Sequence, residues 1–271
     1  MTITGERWAQ PARSRTLRLG EYRLSYVYDG AIQLHPTRFL AGPAEGEVDG
    51  KLLDEQGYLV CTVGGLLIQH GDRAMLVDAG QGLHAQTARD QDIEQLGYFH
   101  GGGFLGSLAA LGVAAGDIEL VAVTHLHSDH IGWIEHLPNA RVALAKREAD
   151  SDPDRVAPFV HRTTYVADGE EIFPGVRAWH TMGHTPGHTS YILQNGTHRL
   201  IAFGDAMHSS AQVGRPEWSS FAEHDGEAST DNRKKIIAEL ERPGTIGFGV
   251  HFADVPFGRV VRGQWEPVDQ L

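Results

Sequence analysis

The sequence predicts a layered α/β domain built on two sheets, and three observations carry that expectation. Short apolar, β-branched runs recur along the chain, helical patterns lie between some of them, and several runs stop abruptly at Asp or His. A chain of 271 residues suits one core. Residues 1–271 are therefore expected to form a single domain, with an N-terminal arm at 1–20 and a loop at 35–54 that has the length of a lid.

Residues 18–29 alternate as a strand, with Tyr28-Asp29-Gly30 as its turn. From His35 to Asp54 the periodicity gives way to Pro, Gly and Glu, which predicts a loop. Residues 58–69 and 74–77 read as a hairpin across His70-Gly71-Asp72-Arg73 that stops at Asp78-Ala79-Gly80. An amphipathic helix is expected at 105–111, and Gly101-Gly102-Gly103 reads as a hinge because no P-loop pattern surrounds it. Strands follow at 118–123 and 141–146, then a charged, proline-broken stretch at 149–158 and another strand at 176–180. A second hairpin joins 190–193 to 199–203 through Asn195-Gly196 and stops at Gly204-Asp205-Ala206. A helix at 230–241 has Ser, Thr and Asp at its start and Pro243-Gly244 beyond its end. Last comes a Gly-rich strand at 245–250 that stops at His251. Two hairpins that both end in Asp-Ala suggest an internal duplication.

A formal charge of -12 argues against nucleic acid as a partner, because phosphate recognition needs a basic surface. The single cysteine, Cys61, rules out an intramolecular disulfide and a cysteine-rich metal site, and its apolar surroundings predict a buried thiol. There is no apolar leader segment and no stretch long enough to cross a bilayer, so a cytoplasmic location without a membrane partner is expected.

Sixteen histidines are many for this length, and four metal-capable side chains fall within Thr124-His125-Leu126-His127-Ser128-Asp129-His130-Ile131-Gly132. In an extended stretch alternate side chains share a side, so His125 and His127 can grip one cation while Leu126 faces the core. Asp129 and His130 follow as a helical turn begins and are placed to face a second cation. Imidazole and carboxylate together suit zinc, iron or manganese better than magnesium or calcium. Strand-like runs also end at Asp78, at the loop holding His188, at Asp205 and at His251; strands lying side by side would bring these to one edge.

In that order, Asp78 in Val-Asp-Ala-Gly, His125-x-His127-x-Asp129-His130, His188 in Thr-Pro-Gly-His-Thr, Asp205 in Gly-Asp-Ala and His251 in Val-His-Phe resemble the metallo-β-lactamase fold superfamily. The resemblance implies a four-layer αββα sandwich with two divalent ions at one edge, zinc first and manganese or iron as alternatives. It implies that His125, His127 and His188 hold the first ion, Asp129, His130 and His251 the second, with Asp205 bridging them. Asp78 would orient the ligand histidines from behind, and His184 is left to structural hydrogen bonding.

A bridging carboxylate is generally missing from true β-lactamases, so antibiotic hydrolysis is demoted. The surrounding residues look most similar to the branch of N-acyl-homoserine lactonases and methyl-parathion-hydrolase-like enzymes. That implies a zinc-dependent hydrolase opening a lactone or cleaving a carboxylic ester on a small molecule. Phosphotriester hydrolysis is the first alternative, and a mononuclear iron persulfide dioxygenase the second. Asp129 is a candidate proton carrier to the leaving group. His208, three residues after Asp205, is a candidate to line the pocket and assist the oxyanion. Phe39, Leu40, Phe99, Phe104, Trp133 and Trp218 are candidate pocket walls, and the arm and the 35–54 loop are candidate homodimer or lid elements.

Overall fold

The computed structural model describes residues 5–83, 88–89 and 93–270. Among them, one sheet runs in the order Thr163–Val166, Arg141–Ala145, Ile118–Ala122, Arg73–Val77, Leu59–His70, Tyr22–Leu34, Leu96–His100 and Ala88–Arg89, with Thr16–Leu19 also paired to Tyr22–Leu34. The second runs in the order Glu171–Phe173, Val176–His180, Thr189–Asn195, His198–Ala202, Thr245–Phe248, Phe257–Val261 and Gln264–Pro267.

Alternation along the strands decides the layers. Leu66 and Ile68 face inward and meet Tyr191, Leu193, Leu200 and Phe248 of the other sheet in a shared core. Their neighbour Leu67 points the other way, onto a layer that holds Phe104, Leu108, Trp133 and Phe159. On the far side, Ile201 and Val260 pack under Ile236 and Leu240 of the helix Gly226–Leu240. Both sheets are covered on both faces, which gives the expected αββα order and explains why the strands read as nearly continuous apolar runs.

Functional side chains collect where strands end together. Arg73–Val77, Ile118–Ala122 and Arg141–Ala145 are parallel neighbours, so Asp78, the His125 segment and Glu148 leave the sheet at one edge. His198–Ala202 and Thr245–Phe248 are likewise parallel and deliver Asp205 and His251. The two edges are joined directly, since the Thr189 amide donates to the Thr124 carbonyl at 2.9 Å and the Tyr191 hydroxyl to the Val123 carbonyl at 2.9 Å.

Several sequence expectations shift. No turn interrupts the strand at Tyr28-Asp29-Gly30; Tyr22–Leu34 continues through it with a register shift. The turn lies earlier, at Gly20, which takes a φ of 61°. Asp29 is buried there and accepts the amides of Gln81, Gly102 and Phe104. Leu96–His100 and the C-terminal hairpin Phe257–Val261 with Gln264–Pro267 are additional strands. The last helix starts at Gly226, capped by the Asp225 side chain on the Ala228 amide, rather than at Thr230.

The described part of the arm, residues 5–20, and the 35–54 loop both lie on the body. Arg7 and Arg15 pair with Asp254 and Asp269, and the Thr62 hydroxyl accepts the Ala12 amide at 3.1 Å. Within the loop, Leu40–Ala41 pairs with Ser219–Ser220, and Phe39, Leu40, Val48 and Leu52 join Trp218 and Cys61 in a small apolar cluster. Phe104 and Trp133 belong to the core beneath the first sheet instead of a pocket wall.

The segment that follows Asp205 is held by Arg233, whose side chain is fully buried. Its guanidinium donates to the carbonyls of Ala206, Pro216 and Trp218 and pairs with Glu223 at 2.7 Å. Removing one member of such a pair leaves the other charged and unpaired in the interior. Arg233→Ala is therefore expected to cost about 3–5 kcal/mol, read by urea unfolding; a loss below about 1 kcal/mol, the surface-pair range, would show that the pair is dispensable.

Candidate metal centre

The strand Ile118–Ala122 hands over to Thr124 and His125, and the short helix Ser128–Ile131 then turns Asp129 and His130 back toward the same point. Asp78 makes this possible from the neighbouring strand end. Its backbone takes a φ of 61°, a left-handed value uncommon outside glycine, and its carboxylate accepts the Thr124 amide at 2.8 Å and the Thr124 hydroxyl. The same carboxylate lies 2.9 Å from Nδ1 of His130.

Two groups of donors face one another. His125, His127, His184 and Asp205 offer one ligand atom each within 4.8 Å of one another, and Asp129, His130 and His251 form a second such group. Asp205 lies between them: its Oδ2 is 3.6 Å from Nε2 of His125 and 3.3 Å from Nε2 of His184. Its Oδ1 is 3.1 Å from Nε2 of His130 and 2.8 Å from Nε2 of His251. One carboxylate thus turns one oxygen to each group.

His188 requires a correction. It is buried, but its Nε2 accepts the Asp205 amide at 3.1 Å, and its Nδ1 lies 3.0 Å from the Thr181 hydroxyl. Both ring nitrogens have protein partners, and the ring joins neither group. His184, assigned above to structural hydrogen bonding, takes the expected place: its Nε2 lies 3.1 Å from Nδ1 of His127. Its backbone is held in turn, with the His184 carbonyl accepting the His224 amide at 3.0 Å. The remaining predicted residues, His125, His127, Asp129, His130, Asp205 and His251, are brought together.

The electrostatics follow from burial. Burial alone would raise the Asp205 carboxyl, but His251, His130, His208 and His125 around it hold it well below the usual carboxylate range. Burial pushes His125 well down, and burial together with His184 lowers His127 to about 4. In His130 and His251 burial is outweighed by neighbouring acids, Asp205 foremost, and both are raised well above the ordinary value.

These residues fit a divalent ion. Nε2 of His125, Nε2 of His130 and Oδ1 of Asp205 are buried and make no hydrogen bond, although they crowd one another. Buried polar atoms in native proteins are nearly always satisfied, and a bound ion supplies what several converging lone pairs lack. Nitrogen and carboxylate donors without thiolate match zinc, manganese or iron.

Further partners escaped the sequence reading. His251 is oriented by the Thr62 carbonyl, 2.7 Å from its Nδ1, in the middle of the first sheet. Nδ1 of His184 stands 3.9 Å from Oε2 of Glu223, and both atoms lack a hydrogen-bond partner. His208 is 5% exposed, lies with Nε2 3.1 Å from Oδ2 of Asp205 and meets Phe39 edge-on at 5.0 Å. That position gives it Asp205 as its partner.

The chain belongs to the metallo-β-lactamase superfamily, whose family model matches residues 65–249. It is 30% identical over 146 residues to the human metallo-beta-lactamase domain-containing protein 1, covering 52% of each chain. It is 24% identical over 152 residues to an N-acyl homoserine lactonase of Bacillus cereus, covering 53% of this chain and 60% of that one. The chain spans about half the length of the curated relatives it matches. Among solved structures it resembles AidC, a dizinc quorum-quenching lactonase captured with an N-hexanoyl-L-homoserine product, with a TM-score of 0.77, 21% identity and coverage of 95% and 97% of the two chains. No helix among the described residues is long and apolar enough to cross a membrane.

The exchange of the two loop histidines is directly testable. His184→Ala is expected to lose a bound divalent-ion equivalent by elemental analysis, whereas His188→Ala keeps its metal and loses stability. Metal lost from His188→Ala and retained by His184→Ala would restore the sequence-based assignment.

Proposed function

We propose that the protein is a dinuclear metal-dependent hydrolase that opens a lactone or cleaves a carboxylic ester. The observation that carries this reading is Asp205, whose two oxygens face two separate histidine groups. Such a carboxylate serves two ions, and two ions side by side serve hydrolysis. In this reading His125, His127 and His184 hold one ion, Asp129, His130 and His251 the other, and Asp205 both. Zinc is the first choice, on the donor set and by analogy with the dizinc lactonase. When bound, the pair would supply Lewis acidity toward the substrate carbonyl and lower the pKa of an attacking water.

The protein's own groups do the rest. Asp129 is the most open carboxylate of the centre, its side chain 18% exposed against 5% for Asp205. Burial raises its carboxyl, but His130 and His251 bring it below its ordinary value and hold it as the anion; its exposure, rather than its basicity, makes it the group to relay a proton to the leaving alkoxide. His208, whose Nε2 lies 3.1 Å from Oδ2 of Asp205, stands at the centre itself, and in this reading it lines the pocket and assists the oxyanion. Phe39, which also touches Phe221 at 5.3 Å, gives the approach an aromatic side suited to an acyl or aryl group. Two donor groups favour this reading over a mononuclear iron centre.

A panel of acyl lactones, aryl esters and phosphotriesters, run on untreated, chelated and zinc-restored protein, tests the proposal. Lactone or ester hydrolysis should disappear with the metal and return with it. Asp205→Asn should lower kcat/KM by more than the ~10–100-fold typical of losing an outer partner of a metal ligand. Turnover of phosphotriesters alone, activity indifferent to chelation, or a single iron per chain would each overturn it.

A further inference from the structure

Glu148 lies outside every ligand set considered above, yet it connects two of the segments that form the centre. It stands on the helix Lys146–Ser151, directly after the strand Arg141–Ala145, and is 2% exposed. Its Oε1 accepts the amide of Leu126 at 3.0 Å. Its Oε2 accepts the hydroxyl of Thr185 at 2.7 Å and the amide of Gly187 at 2.8 Å. Leu126 sits between His125 and His127, and Thr185 follows His184. One carboxylate therefore fixes the separation of the two chain segments that carry all three imidazoles of one donor group.

The contact is close enough to constrain the sequence. A Cβ on Gly187 would lie 2.2 Å from the Glu148 backbone nitrogen, so only glycine lets the loop press against this helix. On its other side the loop is seated as tightly: a Cβ on Gly183, where φ is 143°, would lie 2.3 Å from the Ser229 nitrogen. None of the Glu148 hydrogen bonds involves Asp129, His130 or His251; His130 is held by Asp78 and His251 by the Thr62 carbonyl.

We propose that Glu148 is a positioning residue that sets the metal affinity of the His125–His127–His184 half of the centre and leaves the Asp129–His130–His251 half unaffected. The inference rests on the reading that these groups hold ions. Glu148→Gln is the informative change, because it keeps shape and volume but replaces one acceptor by an amide donor. Whichever way the amide lies, a backbone N–H of Leu126 or Gly187 then faces a donor, and one of the two segments is released.

The test measures zinc retained during titration with a chelator, and the visible spectrum of the cobalt-loaded protein, for wild type and Glu148→Gln. Two equivalents are expected in wild type. In the variant one equivalent keeps its affinity, the other weakens by about 10–100-fold, and only part of the cobalt absorption changes. Wild-type affinity at both sites would overturn the inference, and so would equal weakening of both with a lowered Tm, which marks general support of the fold. If Glu148→Gln does not fold, Thr185→Val removes one of the three donors and must show the same one-sided loss, a few-fold in size, for the inference to stand. Wild-type protein that binds no ion would instead sink the proposed function, a separate outcome.

Discussion

A single buried anion governs this architecture. Among the described residues, no lysine or arginine pairs with the Asp205 carboxylate, 5% exposed; the groups within 4 Å of it are five imidazoles. A carboxylate stripped of water costs several kcal/mol unless charge and hydrogen bonds replace the lost solvation. Here the replacement comes from both sheets at once: His125 and His130 from the first, His184, His208 and His251 from the second. Closing the sandwich and completing the site are consequently the same event, and a divalent ion that binds the native arrangement adds its binding energy to folding.

Imidazoles crowded this closely need their outer nitrogens fixed, or their inner ones point at random. Nδ1 of His130 meets Asp78 at 2.9 Å, Nδ1 of His251 meets the Thr62 carbonyl at 2.7 Å, and Nδ1 of His125 meets the Thr124 hydroxyl at 3.0 Å. Thr62 belongs to the first sheet and His251 to the end of a strand in the second, so one sheet aims a donor of the other. His184 has no such hydrogen bond, and its outer nitrogen faces Glu223 across 3.9 Å. Its position depends instead on the backbone of the loop that bears it, which is held between the helices Lys146–Ser151 and Gly226–Leu240.

Much of this was legible in the sequence where local pattern and final environment agree. The β-branched run before His125 is a strand because both of its faces are buried, and the histidine spacing follows from the extended backbone at its end. The choice between His184 and His188 was not legible. Both sit in Gly-His-Thr-Pro-Gly-His with the same chemistry, and which ring turns inward depends on how tightly two glycines let the loop approach helices distant in sequence. Residues 35–54 lack periodicity for another reason: their order comes from contacts with Trp218 and the Ser219–Ser220 strand, which no local window contains. The C-terminal hairpin did have a signal, since Arg262 and Gly263 take φ values of 53° and 69°, the backbone of a tight primed turn. Arg-Gly is simply a weaker cue for such a turn than Asn-Gly.

Burial also decides how the centre can be reached. His125 and His130 are fully buried, and His184, Asp205 and His251 nearly so, while His127 and Asp129 remain partly open. In the proposed reaction a substrate would therefore approach over Asp129 and His127, the two partly open members of the centre. Electrostatic contacts to the buried histidines beyond them count for more than they would on an open surface. The same enclosure demands accuracy, because a displaced imidazole cannot be replaced by solvent. For this reason the geometry of the centre depends on Asp78, Glu148, Glu223 and Arg233, which hold its loops in register, as well as on the groups that face inward.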